Sequence, residues 1–186
     1  QGEYTYDFSG ASVSSAGDVD NDGLADVLIS APRNAQNGEF AGKTYLFFGS
    51  TISKGGAFHL SEADAAFLGE ALYDRSGGSL ASAGDVDGDG DPDLYVTNDF
   101  EPPDRFWLNN GRGVFREAHP LAMRRTSWFS MGLDFTDLNR DGHLDFLTVD
   151  MLSRWHKRRK TQMGFMQPTE VVIGLVANRP QIMQNT

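Results

Sequence analysis

The sequence predicts an all-β fold assembled from repeated four-stranded antiparallel units, and three observations carry that prediction. A nine-residue acid loop occurs three times, at 18–26, 85–93 and 137–145, each with oxygen-bearing side chains at positions 1, 3, 5 and 9 and Gly at position 6. Sliding the chain by 67 residues aligns Gly2–Asp26 with Gly69–Asp93 at 16 identities in 25 positions. Behind each loop comes a β-branched and aromatic run, Val27–Ile29, Leu94–Thr97 and Phe146–Val149, of strand length and composition. A period of roughly 50–70 residues with strand-like content marks a repeat architecture such as a propeller.

Each unit is then built in chain order. Ala11–Ala16 reads as a first strand of small residues suited to close packing, and the run behind the acid loop is the second strand. Lys43–Gly49 and Asp104–Gly111 read as third strands, and Gly113–Glu117 as a fourth, with Asn110-Gly111-Arg112 as turn chemistry. Four short strands per unit describe a propeller blade. The units run over 1–68, 69–127 and 128–186, about three blades, with the last carrying a basic insert and part of a next element. Three segments fit less well. Ser61–Glu70 is Ala- and Glu-rich and reads as a short helix or a crossing between blades. Met151–Met166 reads as helix or insert and includes five cationic side chains from Arg154 to Lys160, and Val171–Thr186 has no assigned partner. Trp107, Trp128 and Trp155 are expected in the core.

The acid loops carry the chemistry. Several carboxylates within nine residues repel one another unless a cation sits among them, and hard oxygen donors at this density suit Ca²⁺. The expected side-chain ligands are Asp18, Asp20, Asp22 and Asp26; Asp85, Asp87, Asp89 and Asp93; and Asp137, Asn139, Asp141 and Asp145. The third loop should bind more weakly, because Asn139 replaces a carboxylate and Arg140 stands beside it. An Asp- and Gly-rich turn held by its own backbone bonds accounts for most of the pattern, but not for the recurring Asp at position 9. A helix-flanked calcium loop would need an acidic residue at position 12, where this chain has Ile29, Val96 and Thr148.

Composition narrows the function classes. The net charge is −10, and 12 of the 26 acidic residues lie in the three loops, so three divalent ions would offset much of it. Nucleic acid is not an expected partner, since phosphate binding needs a basic face. There is no cysteine, which removes disulfides and thiolate metal sites. His59, His119, His143 and His156 show no zinc spacing. The Val171–Ala177 apolar run is too short to cross a bilayer. Gln1 opens inside repeat-like sequence, so the chain reads as a mature protein or an internal piece of a longer one.

The loop flanks resemble a known family. Phe8–Val13, followed by Gly17–Asp20 and closing on Ile29–Pro32, is similar to the FG-GAP repeat of integrin α-subunit propellers and their bacterial relatives. Asp93–Phe100 and Phe106–Gly111 resemble the related VCBS repeat, and Ser130–Asp145 with Val149–Arg154 resembles bacterial proteins of the ASPIC/UnbV and cartilage acidic protein group. The resemblance implies blades of a propeller of about seven, with Ca²⁺ between each blade's first two strands. It adds the backbone carbonyls of position 7, Leu24, Asp91 and His143, as ligands. Three blades do not close a ring, so further blades or neighbouring subunits are expected partners.

The expected function is a non-catalytic module with up to three Ca²⁺, extracellular, at the cell surface or periplasmic, that binds a protein or glycan or serves adhesion or scaffolding. One rival is a structural subunit of a larger assembly or filament, whose exposed strand edges invite pairing. The other is a fragment of a propeller-type polysaccharide lyase or hydrolase, although no nucleophile–base pair is visible.

Overall fold

The structure is a computed structural model and describes residues 2–98, 104–118 and 130–150. It is nearly all β. The first sheet holds β1 (Val13–Gly17), β2 (Asp26–Ala31), β3 (Lys43–Phe47) and β4 (Ala65–Leu68), antiparallel throughout and ordered as in the sequence. One helical turn, α1 (Gly49–Ile52), follows β3, and a 3-10 turn at Leu60–Glu62 precedes β4. The second sheet repeats the order with β5 (Leu80–Gly84), β6 (Asp93–Val96), β7 (Arg105–Leu108) and β8 (Arg116–Glu117). An antiparallel pair follows, β9 (Ser130–Thr136) with β10 (Asp145–Asp150).

Side-chain alternation along the strands explains how the layers stack, because successive residues face opposite sides of a sheet. On one face of the first sheet Leu28, Leu46 and Phe67 join Leu80, Leu94 and Val96 of the second in a single core. Phe67 lies 5.1 Å from the Trp107 ring and 5.3 Å from Phe115, which locks the two sheets together. The other face of the first sheet buries Tyr45, Phe47 and Leu60, with Ile29, Ile52 and Phe58 against them. On the far side of the second sheet, Tyr95 packs against Phe106, Phe135 and Phe146, which brings the β9–β10 pair onto it.

The small-residue strand behaves as its composition suggests: β1 lies beside β5, and β5 beside β9. Both β1 and β5 carry a bulge at the same place, between Ser15 and Gly17 and between Ser82 and Gly84. Such bulges add local twist and set the direction in which a turn leaves a strand.

The segment Ser61–Glu70 is corrected by the structure. Only Leu60–Glu62 forms a 3-10 turn, and Ala65–Leu68 is the fourth strand of the first sheet, paired with Lys43–Leu46. Pairing with β3 and insertion of Phe67 beside Trp107 override the helical propensity of the alanines. Trp107 is half-buried against the core, as expected. Trp128, Trp155, the cationic run Arg154–Lys160 and the segment Val171–Thr186 lie outside the described residues.

Candidate metal centre

All three acid loops join the first two strands of their unit, β1–β2, β5–β6 and β9–β10. Two contacts form a common frame. The carboxylate at position 1 accepts the backbone N–H of the position-6 glycine: Gly23 to Asp18 Oδ2 at 2.9 Å, Gly90 to Asp85 Oδ2 at 3.0 Å, Gly142 to Asp137 Oδ2 at 3.0 Å. The carboxylate at position 9 accepts the N–H of position 2: Val19 to Asp26 Oδ2 at 2.7 Å, Val86 to Asp93 Oδ2 at 2.9 Å, Leu138 to Asp145 Oδ2 at 3.1 Å. Position 6 needs glycine for its backbone alone, since Gly23 has φ +88° and an added Cβ would meet nothing within 4 Å. Position 4 is also left-handed, occupied by Asn21 (φ 59°), Gly88 (φ 81°) and Arg140 (φ 63°).

This frame gathers the carboxylates at positions 1, 3 and 5. Oxygens of Asp18, Asp20 and Asp22 lie within 4.8 Å of one another, as do those of Asp85, Asp87 and Asp89. Each set is a cluster of hard anionic donors that could hold a metal ion. Burial, then the neighbouring Asp22 and Asp18 carboxylates, push the pKa of Asp20 up. The share from Asp22 and Asp18 is the repulsion a cation would relieve. The donor set therefore fits a divalent hard ion. Among the described residues, Arg116 makes a competing contact in loop two, an exposed ion pair to Asp87 Oδ2 at 3.7 Å. In the third loop Asn139 donates to Asp141 Oδ2 at 2.9 Å, while its own Oδ1 accepts the Asp141 N–H at 2.9 Å. The His143 N–H, and after it the Asn139 side-chain amide, hold the Asp141 carboxyl below its ordinary range.

Position 9 is placed differently from the other three. Asp26 and Asp93 are fully buried, and each uses its second oxygen on the strand-three side of its blade. Asp26 Oδ1 accepts the Gly49 N–H at 2.7 Å, and Asp93 Oδ1 accepts the Asn109 N–H at 2.9 Å. Burial raises both carboxyls despite these bonds. These aspartates staple the acid loop to its own sheet. The position-7 residues Leu24, Asp91 and His143 sit in the same turns, and the Asp91 side chain reaches across to the first loop, where Asn21 Nδ2 donates to its Oδ1 at 2.9 Å. Among the described histidines, His59 lies by the 3-10 turn and His143 in the third loop.

Residues beyond the nine-residue motif complete the setting. Asn109 Nδ2 donates to the Val19 carbonyl at 2.8 Å, and the Gly113 N–H donates to the same oxygen at 2.9 Å. Only strand register could have found Asn109, which stands just after β7 at the place that Gly49 holds after β3. The Asn110-Gly111-Arg112 turn forms as expected, with Asn110 Oδ1 accepting the Arg112 N–H at 3.1 Å.

Successive antiparallel sheets, each opening on an acid hairpin turn, define a repeat protein of the β-propeller type. Residues 9–47 match the FG-GAP repeat and residues 85–148 an FG-GAP-like repeat, and together these cover more than half of the chain. The chain belongs to the FG-GAP repeat family. FG-GAP repeats are generally non-catalytic modules and are found in adhesion and integrin-like proteins. No curated protein matches the chain. Among the described residues, no helix is long and apolar enough to cross a membrane.

Proposed function

We propose that this chain is a calcium-stabilised, non-catalytic binding and scaffold module of an extracellular, cell-surface or periplasmic protein. The observation that carries the reading is the carboxylate triad that recurs in the first two loops, each on the same hydrogen-bonded frame. Asp18, Asp20 and Asp22, and Asp85, Asp87 and Asp89, would hold the ions by side-chain oxygen, with the carbonyls of Leu24 and Asp91 alongside. Asp137, Asn139 and Asp141 would form a weaker third site with the His143 carbonyl. Asp26, Asp93 and Asp145 close the turns and lend a further oxygen where a lone pair remains.

The ions act on stability. A cation that binds only the folded turn converts its binding energy into folding energy. Millimolar Ca²⁺ outside the cell suits exposed loops of modest affinity, which is the basis for the compartment. The surface that these blades present is then free to bind a protein or glycan ligand.

Thermal unfolding with and without chelator tests the reading. Saturating Ca²⁺ at about 100-fold over Kd contributes about 2.7 kcal/mol per site, so EDTA, by emptying the first two loops, should lower Tm by about 10–20 °C. A melt that EDTA leaves unchanged would overturn it.

A further inference from the structure

We infer that the first two acid loops bind calcium as a coupled pair, with Asn109 as the positioning residue that joins them; this rests on the calcium reading above. A continuous hydrogen-bond chain runs between the loops, part-buried at its Val86 end and buried from Asp93 to Asp26. The Val86 N–H is held by Asp93, whose other oxygen holds the Asn109 N–H. The Asn109 side chain donates to the Val19 carbonyl, and the Val19 N–H is held by Asp26. Val19 is 0% exposed, Asn109 3%, and Asp26 and Asp93 0%, so between Asp93 and Asp26 water does not compete and each bond is strengthened by its surroundings.

Two further contacts cross the same gap. At the surface Asn21 Nδ2 donates to Asp91 Oδ1 at 2.9 Å and to the Gly111 carbonyl at 3.3 Å. Beneath it, Pro92 of loop two packs on the bulge glycine of β1, 3.0 Å from where a Gly17 Cβ would stand. The packing recurs one unit on, where Leu144 lies 2.3 Å from where a Gly84 Cβ would stand. Pro92 and Leu144 both occupy position 8 of their loops, so the row of loops is built by one repeated contact.

The consequence is thermodynamic. An ion in loop two orders the Asp85–Asp93 turn and with it Asn109, which fixes one wall of loop one. The second ion then meets a turn whose ordering cost has largely been met, which is positive cooperativity. Linkage makes the effect reciprocal, each ion tightening the other's site by the same factor.

The test uses the full chain, stripped of metal and titrated with CaCl₂ alone, with the amide signals of Gly23 and Gly90 reporting each loop separately by NMR. Disabling loop two with Asp87→Ala should weaken the Gly23 isotherm about 5-fold or more. Asp20→Ala should weaken the Gly90 isotherm by a similar factor. In an Asn109→Ala background each isotherm should stop responding to the other loop's mutation. Asn21→Gly, which keeps the left-handed backbone and removes only the exposed side-chain contact, should reduce the coupling in part. A Gly23 isotherm that Asp87→Ala leaves in place would overturn the coupling and leave the calcium reading standing. No calcium-dependent shift at either glycine in the unmutated chain would overturn both.

Discussion

The first and third acid loops share their spacing and their two framing hydrogen bonds, and they differ in what surrounds them. In the first loop Asp26 is fully buried with both oxygens on backbone N–H groups, and Val19 is 0% exposed beneath Asn109 and Gly113. In the third, Asp145 is half-buried, its described bond is the one from Leu138, and Leu138 is 65% exposed. The second loop stands between them, with Asp93 stapled as firmly as Asp26 but Val86 42% exposed. The nine-residue motif thus sets the turn, while strand three and the neighbouring unit decide how rigidly the turn is held.

The largest expected effect separates the two staples. Asp26→Ala strands two buried N–H groups and should cost about 2–4 kcal/mol, whereas Asp145→Ala should cost about 1 kcal/mol, both read by urea unfolding at fixed calcium. Equal losses would break the contrast.

A second pair of equivalent carboxylates, Asp7 and Asp74, should differ in pH response. Asp7 accepts from the Ser9 N–H, the Ser9 hydroxyl and the Tyr4 N–H, and these bonds outweigh burial to hold it below its ordinary range. Asp74 is fully buried, its Oδ1 has no hydrogen-bond partner among the described residues, and burial pushes it up to about 6. A raised carboxyl binds its proton more tightly when folded, so its contribution to stability is greatest below about pH 4 and falls as pH rises through about 6. Asp74→Asn should flatten that slope and raise stability at pH 7 by about 2 kcal/mol, measured by unfolding between pH 4 and 7. Asp7→Asn should lower stability at pH 7.

Smaller changes should bring the third loop toward the first. Asn139→Asp restores the missing carboxylate and should tighten calcium at that loop about 10-fold, visible at the Gly142 amide. Arg140→Gly removes a bulky residue from the left-handed position and should stabilise the turn by about 1 kcal/mol. An unstabilised Arg140→Gly protein would show that this backbone costs nothing there.

Much of this was legible in the sequence because the acid loops and the second strands are local signals. Asp and Gly at fixed offsets specify the turn, and runs such as Leu94–Val96 specify a buried strand wherever they lie. The strand at Ala65–Leu68 was not legible, because two alanines before Phe67 favour helix and only pairing with β3 makes them a strand. The role of Asn109 was hidden for the same reason. It lies 90 residues from Val19, and the contact exists only once the second sheet has packed on the first. The spacing marks position 9 as a ligand, while its place as a buried staple follows from the N–H groups of Gly49 and Asn109, just past strand three of each unit.

The most direct test of the account is a count of ions. Equilibrium dialysis of the metal-free chain against radioactive Ca²⁺ should find two ions per chain in one cooperative phase, and a third at higher concentration. A chain that takes up no calcium at millimolar concentration would contradict it.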